Sequence, residues 1–330
     1  MLTYYLREND TFSQVPVNLS AGIPDADRAA ALWFDLLNPT PQEDQLVESI
    51  LGITIPSREE MEEIESSARF YTEDDAEFMT ETFLTDLDTD QPRRTPVTFI
   101  LKGSRLVTVR YDDPRPFKNV IGMFPRSNRY ATGELIMLGL VEAMIDRLAD
   151  VLEQTSVEID GISREVFRSN SKAGRGSTNN LRSVIEQIGR HGNLLGLARE
   201  SLVSLSRLLT YHRALEIENA KLTKEARQQI KVLQRDVGSL SDHDSFLSAK
   251  VGFLLDATLG LINLEQNQII KIFSIAAVVL LPPTLVASIY GMNFNFMPEL
   301  HWLFGYPFAI SLMIVSAVLP YLFFKRQGWL

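Results

Sequence analysis

Between Lys271 and Lys325 the chain carries a single charged residue, Glu299, whereas charged residues run throughout the sequence before Lys271. No other feature limits the fold as strongly. Ile272–Tyr290 (IFSIAAVVLLPPTLVASIY) and Trp302–Phe324 (WLFGYPFAISLMIVSAVLPYLFF) are uncharged runs. Each meets the requirement of about 20 apolar residues for a helix crossing the hydrocarbon core. Burying both runs inside a soluble core would leave too little chain to wrap them. The sequence therefore predicts membrane spans over about 272–290 and 302–324, joined by a loop over about 291–301, with membrane lipid as a partner.

The flanks set the orientation. Lys271 precedes the first run, Lys325 and Arg326 follow the second, and the connecting GMNFNFMPELH has neither Lys nor Arg. The positive-inside rule then places both termini in the cytoplasm and the short loop outside. Tyr290, Trp302, Tyr306 and Trp329 suit interfacial positions. The N-terminal MLTYYLREND has no basic stretch followed by an apolar run, so no cleaved signal peptide is expected.

Several function classes fall away on composition and motifs. A formal net charge of -10 gives nucleic-acid binding no electrostatic support. The absence of cysteine excludes disulfides and thiolate metal sites. There is no GxxxxGK[ST] loop, so nucleotide coupling is unsupported. No HExxH, dinucleotide fingerprint or Ser/His/Asp arrangement points to an enzyme.

The part before the membrane reads as an α/β domain over 1–130 and a helical region over 131–271. Ala31–Thr40 predicts a strand ending at Asn38-Pro39, and Val97–Tyr111 a hairpin around Gly103-Ser104. Pro41–Leu51 and Ser57–Ala68 predict helices, the latter opened by a Ser57/Glu60 capping box. From Thr132, apolar residues recur at three- and four-residue spacing. Residues 169–180 (SNSKAGRGSTNN) suit a hairpin tip, and a second helix is expected from Leu181 to about Tyr211. A third starts near Leu222 and meets no proline before Pro282-Pro283, where a bend is expected. Continued into the membrane it holds roughly 69 residues, about 100 Å long. A helix of that length needs partners beyond its own chain, and a homo-oligomeric stalk is the simplest source.

One face of the first span is distinctive. Asn267, Ile270, Ser274, Ala277, Leu281, Thr284, Ser288 and Gly291 follow one another at alternating three- and four-residue steps. Five of the six from Ser274 to Gly291 are small or hydroxylated. Such a stripe serves either as a helix-packing seam or as a pore lining with apolar constrictions at Ile270 and Leu281. Asn267 at one end and Asn293 beyond the other favour a pore. The stripe has no carboxylate, which suits an ion that keeps its water: Mg²⁺ dehydrates reluctantly, and a ring of Asn293 amides would bond those waters without stripping them.

Tyr290-Gly291-Met292-Asn293, followed by Met297-Pro298-Glu299-Leu300, resembles the signature of the CorA family of magnesium channels. The basic end, Phe324-Lys325-Arg326-Gln327-Gly328-Trp329-Leu330, is similar to that family's C-terminus. INLEQNQIIKIFS and LPPTLVASIYGMNF are similar to its enterobacterial members. The resemblance is strongest over about residues 235–330 and looser before them, where SREEMEEIESSARFY is the clearest patch. It implies a funnel-shaped homopentamer in a bacterial inner membrane. A cytoplasmic α/β domain and long stalk helices would be followed by a pore lined by the first span. It implies a selectivity ring at Gly291, Met292 and Asn293, with Leu281 and Thr284 in the pore and Ile270 and Asn267 at an inner gate. Lys325 and Arg326 would form a basic collar. Mg²⁺ would be both the transported ion and an inhibitory ligand between protomers, with Co²⁺ and Ni²⁺ as further permeants.

Candidates for the inhibitory site are Asp236, Asp242 and Asp244 on the stalk and Asp86, Asp88 and Asp90 in a loop. Each also reads as an ordinary solvated carboxylate, as does Glu73-Asp74-Asp75. His243 could assist a transition metal. Two other functions stand beside Mg²⁺ influx. One is zinc or other transition-metal transport on the same scaffold, against which Met292 argues because the zinc-associated branch has Ile there. The other is a membrane-anchored sensor whose spans only anchor it.

Overall fold

The computed structural model of the chain describes residues 1–8, 11–87, 89, 91–123, 130–169, 177–219, 223–293 and 297–329. It divides into two compact units, Met1–Ala173 with Ser183–Leu254, and Gly174–Arg182 with Leu255–Leu330.

The first unit is built on seven strands: β1 (Leu2–Glu8), β2 (Thr11–Pro16), β3 (Ala31–Leu37), β4 (Phe70–Glu73), β5 (Ala76–Thr85), β6 (Arg93–Lys102) and β7 (Arg105–Arg110). They form one sheet in the order β2-β1-β3-β7-β6-β5-β4, with β3 and β7 parallel and the other neighbours antiparallel. The helices are α1 (Asp25–Ala30), α2 (Pro41–Leu51), α3 (Arg58–Met61), α4 (Ser66–Arg69), α5 (Arg115–Met123), α6 (Gly133–Ser169), α7 (Ser177–Asn219), α8 (Lys224–Tyr290) and α9 (Gly305–Arg326).

Successive strand residues point to opposite faces, and Trp33 and Phe34 are both fully buried, so the sheet is covered on both sides. On one side Leu2, Tyr4, Phe34, Leu36, Phe78 and Ile100 form a core with Val47 and Leu51 of α2 and Met61 of α3. The other side is aromatic. Tyr5 stacks on Trp33 at 4.3 Å, and Phe117 of α5 meets Trp33 at 6.2 Å and Phe83 at 5.8 Å. Helix α6 starts against the β6–β7 turn, where the Gly133 amide donates to the Ser104 carbonyl at 2.7 Å. A Cβ on Gly133 would lie 2.4 Å from the Leu106 nitrogen, so this approach requires glycine.

Local signals explain the element ends. Helix α2 has the expected bounds, with Pro41 in its first turn, a reciprocal Thr40/Glu43 capping box and Gly52 in the left-handed conformation after it. The expected hairpin is β6 and β7 around Gly103, whose φ is 61°. Asp74 and Asp75, with φ of 49° and 57°, form the two-residue turn between β4 and β5.

Two helix expectations are corrected. The Ser57/Glu60 capping box forms, but Ser57–Ala68 is not one helix; α3 and α4 are separate turns. A continuous helix would stack Glu59, Glu62, Glu63 and Glu65 at repulsive three- and four-residue spacings, while Ile64, 87% exposed, contributes no packing. Helix α7 runs from Ser177 to Asn219, beyond Leu181 and Tyr211, because no Gly or Pro stops it there. In the second predicted span the helix begins at Gly305, after a 3₁₀ turn over Pro298–His301, and continues to Arg326. Starting at Trp302 would bury Pro307 inside the helix, where its missing donor breaks a bond; from Gly305 it lies in the first turn, where none is needed. Most of the polar tip expected over 169–180 lies outside the described residues.

Two buried titrating groups, His212 on α7 and Glu81 on β5, have shifted pKa values. His212 is held between Glu77 of β5, at 3.0 Å, and Glu134 of α6, at 3.1 Å. Burial opposes its charge, but the hydrogen bonds that its ring donates to both carboxylates outweigh burial and raise its pKa to about 9. Glu81 is completely buried on β5, and burial pushes its carboxyl up to about 8. Both folded-state pKa values lie above the ordinary 6.5 and 4.5. Stability from each is therefore fully present below the ordinary value and lost as pH rises through the shifted one. Urea unfolding of the full-length protein in detergent is expected to show stability declining from about pH 5 to pH 9. Glu81→Gln should flatten the part below about pH 6.5 and lessen the slope from there to about pH 8, where His212 still contributes, and an unchanged slope in that variant would remove Glu81 as a source.

Candidate functional site

Both predicted spans are helical, in the C-terminal part of α8 and in α9, and both are long and apolar enough to cross a membrane. Almost none of either apolar window is buried within the chain, unlike the core helices of a soluble protein.

The expected stripe lies on one face of α8. Asn267, Ser274, Ala277, Thr284, Ser288 and Gly291 are exposed, as are Ile270 at 61% and Leu281 at 65%. The better-covered residues of this segment are Ile275, which is buried, and Val279, Pro282, Pro283, Val286 and Tyr290. At about 100° per residue, Ile275, Val279, Pro282 and Val286 define a face roughly opposite the stripe. The stripe thus lies within the broad uncovered arc of α8, which also carries Phe273, Leu280 and Leu285.

Its polar character is limited and local. The Thr284 hydroxyl donates to the Leu280 carbonyl at 2.8 Å, leaving its oxygen lone pairs directed outward as acceptors. Pro282 and Pro283 lie inside α8 and deprive the carbonyls of Val278 and Val279 of their i+4 amide donors. The helix ends where the Gly291 amide donates to Ala287 at 2.9 Å and the Met292 amide to Ile289 at 3.3 Å. Asn293 follows immediately, exposed. The arrangement offers neutral oxygen acceptors and two large apolar side chains along one line, and no fixed charge.

At the other end of the spans, Lys325 and Arg326 stand in the last turn of α9. Lys271 places its Nζ 5.6 Å from the centre of the Trp329 ring. Sequence reasoning noted both residues only singly.

The stalk carboxylates are not brought together within the chain. Asp244 is buried, and its Oδ2 accepts from Arg199 Nε of α7 at 3.0 Å. Burial raises its pKa against the pull of Arg199. Asp242 is exposed, and Asp236 is half-exposed beside Arg235 at 3.7 Å. Asp86 has φ of 56° and takes the Arg93 guanidinium at 2.5 Å. Asp88 and Asp90 lie outside the described residues. His243 stacks on Phe246. Among the described residues of one chain, no group of three or more His, Asp or Glu side chains is placed to hold a metal ion.

Over residues 28–326 the sequence matches the family described as CorA-like Mg²⁺ transporter protein. The chain belongs to the CorA family. It is 36% identical over 332 residues to the magnesium transport protein CorA of Yersinia pseudotuberculosis serotype I (strain IP32953), covering 100% of both chains. The same identity and coverage hold for the protein of that name from Escherichia coli (strain K12). The complete CorA magnesium transporter of Methanocaldococcus jannaschii shares its fold, with a TM-score of 0.75 at 18% identity over 100% of this chain and 99% of that one. As a CorA protein the chain is an integral membrane protein with two C-terminal spans, and it belongs among transporters rather than enzymes. The expected mixed α/β domain, long helices and two terminal spans are those of the CorA fold.

Proposed function

We propose that the chain carries Mg²⁺ into the cell through a pore lined by the α8 stripe, as a homopentamer driven by membrane potential alone. The observation that carries this reading is the uncovered line from Asn267 to Ser288, running into Gly291-Met292-Asn293 and lacking any carboxylate. A symmetric ring of such helices turns each exposed stripe toward a common axis. Leu281 and Ile270 then form apolar constrictions, Thr284 and Ser288 offer hydroxyl oxygens, and Asn293 with the Gly291 carbonyl accepts hydrogen bonds from the ion's waters. An inside-negative potential contributes about 4.6 kcal/mol per 100 mV to a divalent ion, twice the single-charge value. No coupled chemistry is needed. Both termini face the cytoplasm of a bacterial inner membrane in this reading, with Lys325 and Arg326 at the inner surface.

Neutral ligands that act on hydrated ions do not separate Mg²⁺ sharply from Co²⁺ and Ni²⁺, so both are proposed to pass. Ion-resolved flux into proteoliposomes at a fixed potassium diffusion potential tests the assignment. Potential-dependent Mg²⁺ entry is expected. Zn²⁺ entry without Mg²⁺ entry would move the chain to transition-metal transport, and no flux at all would leave the spans as anchors.

Internal Mg²⁺ is proposed to hold the pore closed by binding between protomers. Asp236 and Asp242 are accessible to a neighbouring chain, whereas Asp244 and Asp86 are engaged by Arg199 and Arg93. An ion reaching those two would have to displace a guanidinium. Removing a shared ion leaves like charges facing each other and loosens the ring. Millimolar Mg²⁺ is therefore expected to slow proteolysis of the soluble unit. The double substitution Asp236→Asn/Asp242→Asn should remove most of that protection. Equal cleavage rates in Mg²⁺ and in EDTA for the unsubstituted protein would end the proposal of an ion-linked closed state.

A further inference from the structure

We propose that residues 327–329, following α9, form a latch that positions the inner end of the pore helix, with Trp329 gripping Lys271. The inference rests on the reading of α8 as the pore helix. Four observations carry it. Gly328 has φ of 69°, a left-handed conformation that turns the chain back on the end of α9. The turn is hydrogen-bonded: the Gly328 amide donates to Lys325 and the Trp329 amide to Phe324, at 3.3 and 3.1 Å. The Trp329 ring is then held against Phe324, centres 5.5 Å apart. Its face receives Lys271 Nζ at 5.6 Å, within cation–π range.

The position of Lys271 gives the contact a consequence. It is the residue after Ile270, the inner apolar constriction of the stripe, and the last charge before the first span. Fixing Lys271 therefore fixes the azimuth of α8 where Ile270 projects. The chemistry of the grip is also specific. Lys325 and Arg326, in the last turn of α9, add positive charge beside the same turn. A carboxylate partner would hold Lys271 by cancelling positive charge at the inner mouth. An indole face holds it through its quadrupole and leaves the charge in place. Among the described residues, Lys271 makes no salt bridge, so the ring is the contact that ties it to α9.

The test is a double-mutant cycle in full-length protein, with Lys271→Met, Trp329→Leu and the pair. Hydrogen exchange reports the contact directly: exchange at the Gly328 and Trp329 amides should quicken about two- to five-fold in Lys271→Met, the factor of an exposed cation–π contact. Mg²⁺ uptake reports the positioning role. Trp329→Leu should change uptake by about the same factor in the Lys271 background and leave it unaltered in the Lys271→Met background. Trp329→Phe and Lys271→Arg, which keep a ring and a cation, should retain parental uptake. Unaltered exchange in Lys271→Met, or equal effects of Trp329→Leu on uptake in both backgrounds, would overturn the latch. The exchange arm does not depend on which face of α8 conducts, so failure of the pore reading would be recognised separately.

Discussion

Purified, correctly assembled Asn293→Ala protein is expected to lose Mg²⁺ uptake by orders of magnitude while keeping its fold. Asn293 is exposed just beyond the end of α8, so its side chain supports no packing within the chain. In the proposed ring, each amide oxygen would accept a hydrogen bond from the water shell of the ion, and each such bond to a charged group is worth roughly 1.5–3 kcal/mol. Alanine removes all of them at once and leaves both spans intact. Uptake should fall for Co²⁺ as for Mg²⁺, because the lost partner binds water rather than metal. Asn293→Asp is the informative companion: it keeps the acceptors but adds charge, and should retain binding while slowing release. Parental flux and ion preference in Asn293→Ala would remove Asn293 as the selectivity residue and the hydrated-ion mechanism with it.

The second large effect is on folding. Asp35→Ala is expected to destabilise the soluble unit by about 3–5 kcal/mol, the cost of leaving a buried charge without its partner. Asp35 and Arg110, on the parallel pair β3 and β7, are both buried and paired in a two-pronged contact at 3.0 and 2.9 Å. Thr108 donates to Asp35 at 2.7 Å and accepts from the Trp33 indole at 2.9 Å. Arg110 continues to Asp113 at 2.7 Å, and its guanidinium lies 4.4 Å from the Phe117 ring centre. Removing Asp35 leaves Arg110 in an aromatic pocket with only the partly exposed Asp113 to balance it. Urea unfolding read by tryptophan fluorescence measures the loss. Glu62→Ala, which breaks the exposed Arg58–Glu62 pair, is the control and should cost less than about 1 kcal/mol. Equal losses in the two variants would mean that the Asp35 network is no more than a surface pair.

Much of the membrane unit was legible in the sequence because its determinants are local. Charge absence over 272–290 and the three- and four-residue periodicity from Asn267 to Gly291 need no partner to be read. The same holds for the Ser57/Glu60 capping box, and for α2, which Pro41 opens and Gly52 closes. The start of the α9 helix at Gly305 also has a local cause, the position of Pro307.

Contacts across long sequence separations were not legible. Asp236, Asp242 and Asp244 look alike as residues on one helix, yet only the packing of α7 on α8 buries Asp244 and gives it Arg199, 45 positions away. Asp35 and Arg110 are 75 positions apart and read separately as an ordinary strand acid and an ordinary strand base. Lys271 and Trp329 read as a flank and an interfacial anchor until the left-handed turn at Gly328 joined them. The physical reason is the range of the forces involved. Hydropathy, helix periodicity and capping act within a few residues and leave a pattern along the chain. Desolvation and charge pairing act through space, so whether a carboxylate is solvated or paired is decided only when tertiary packing sets its surroundings.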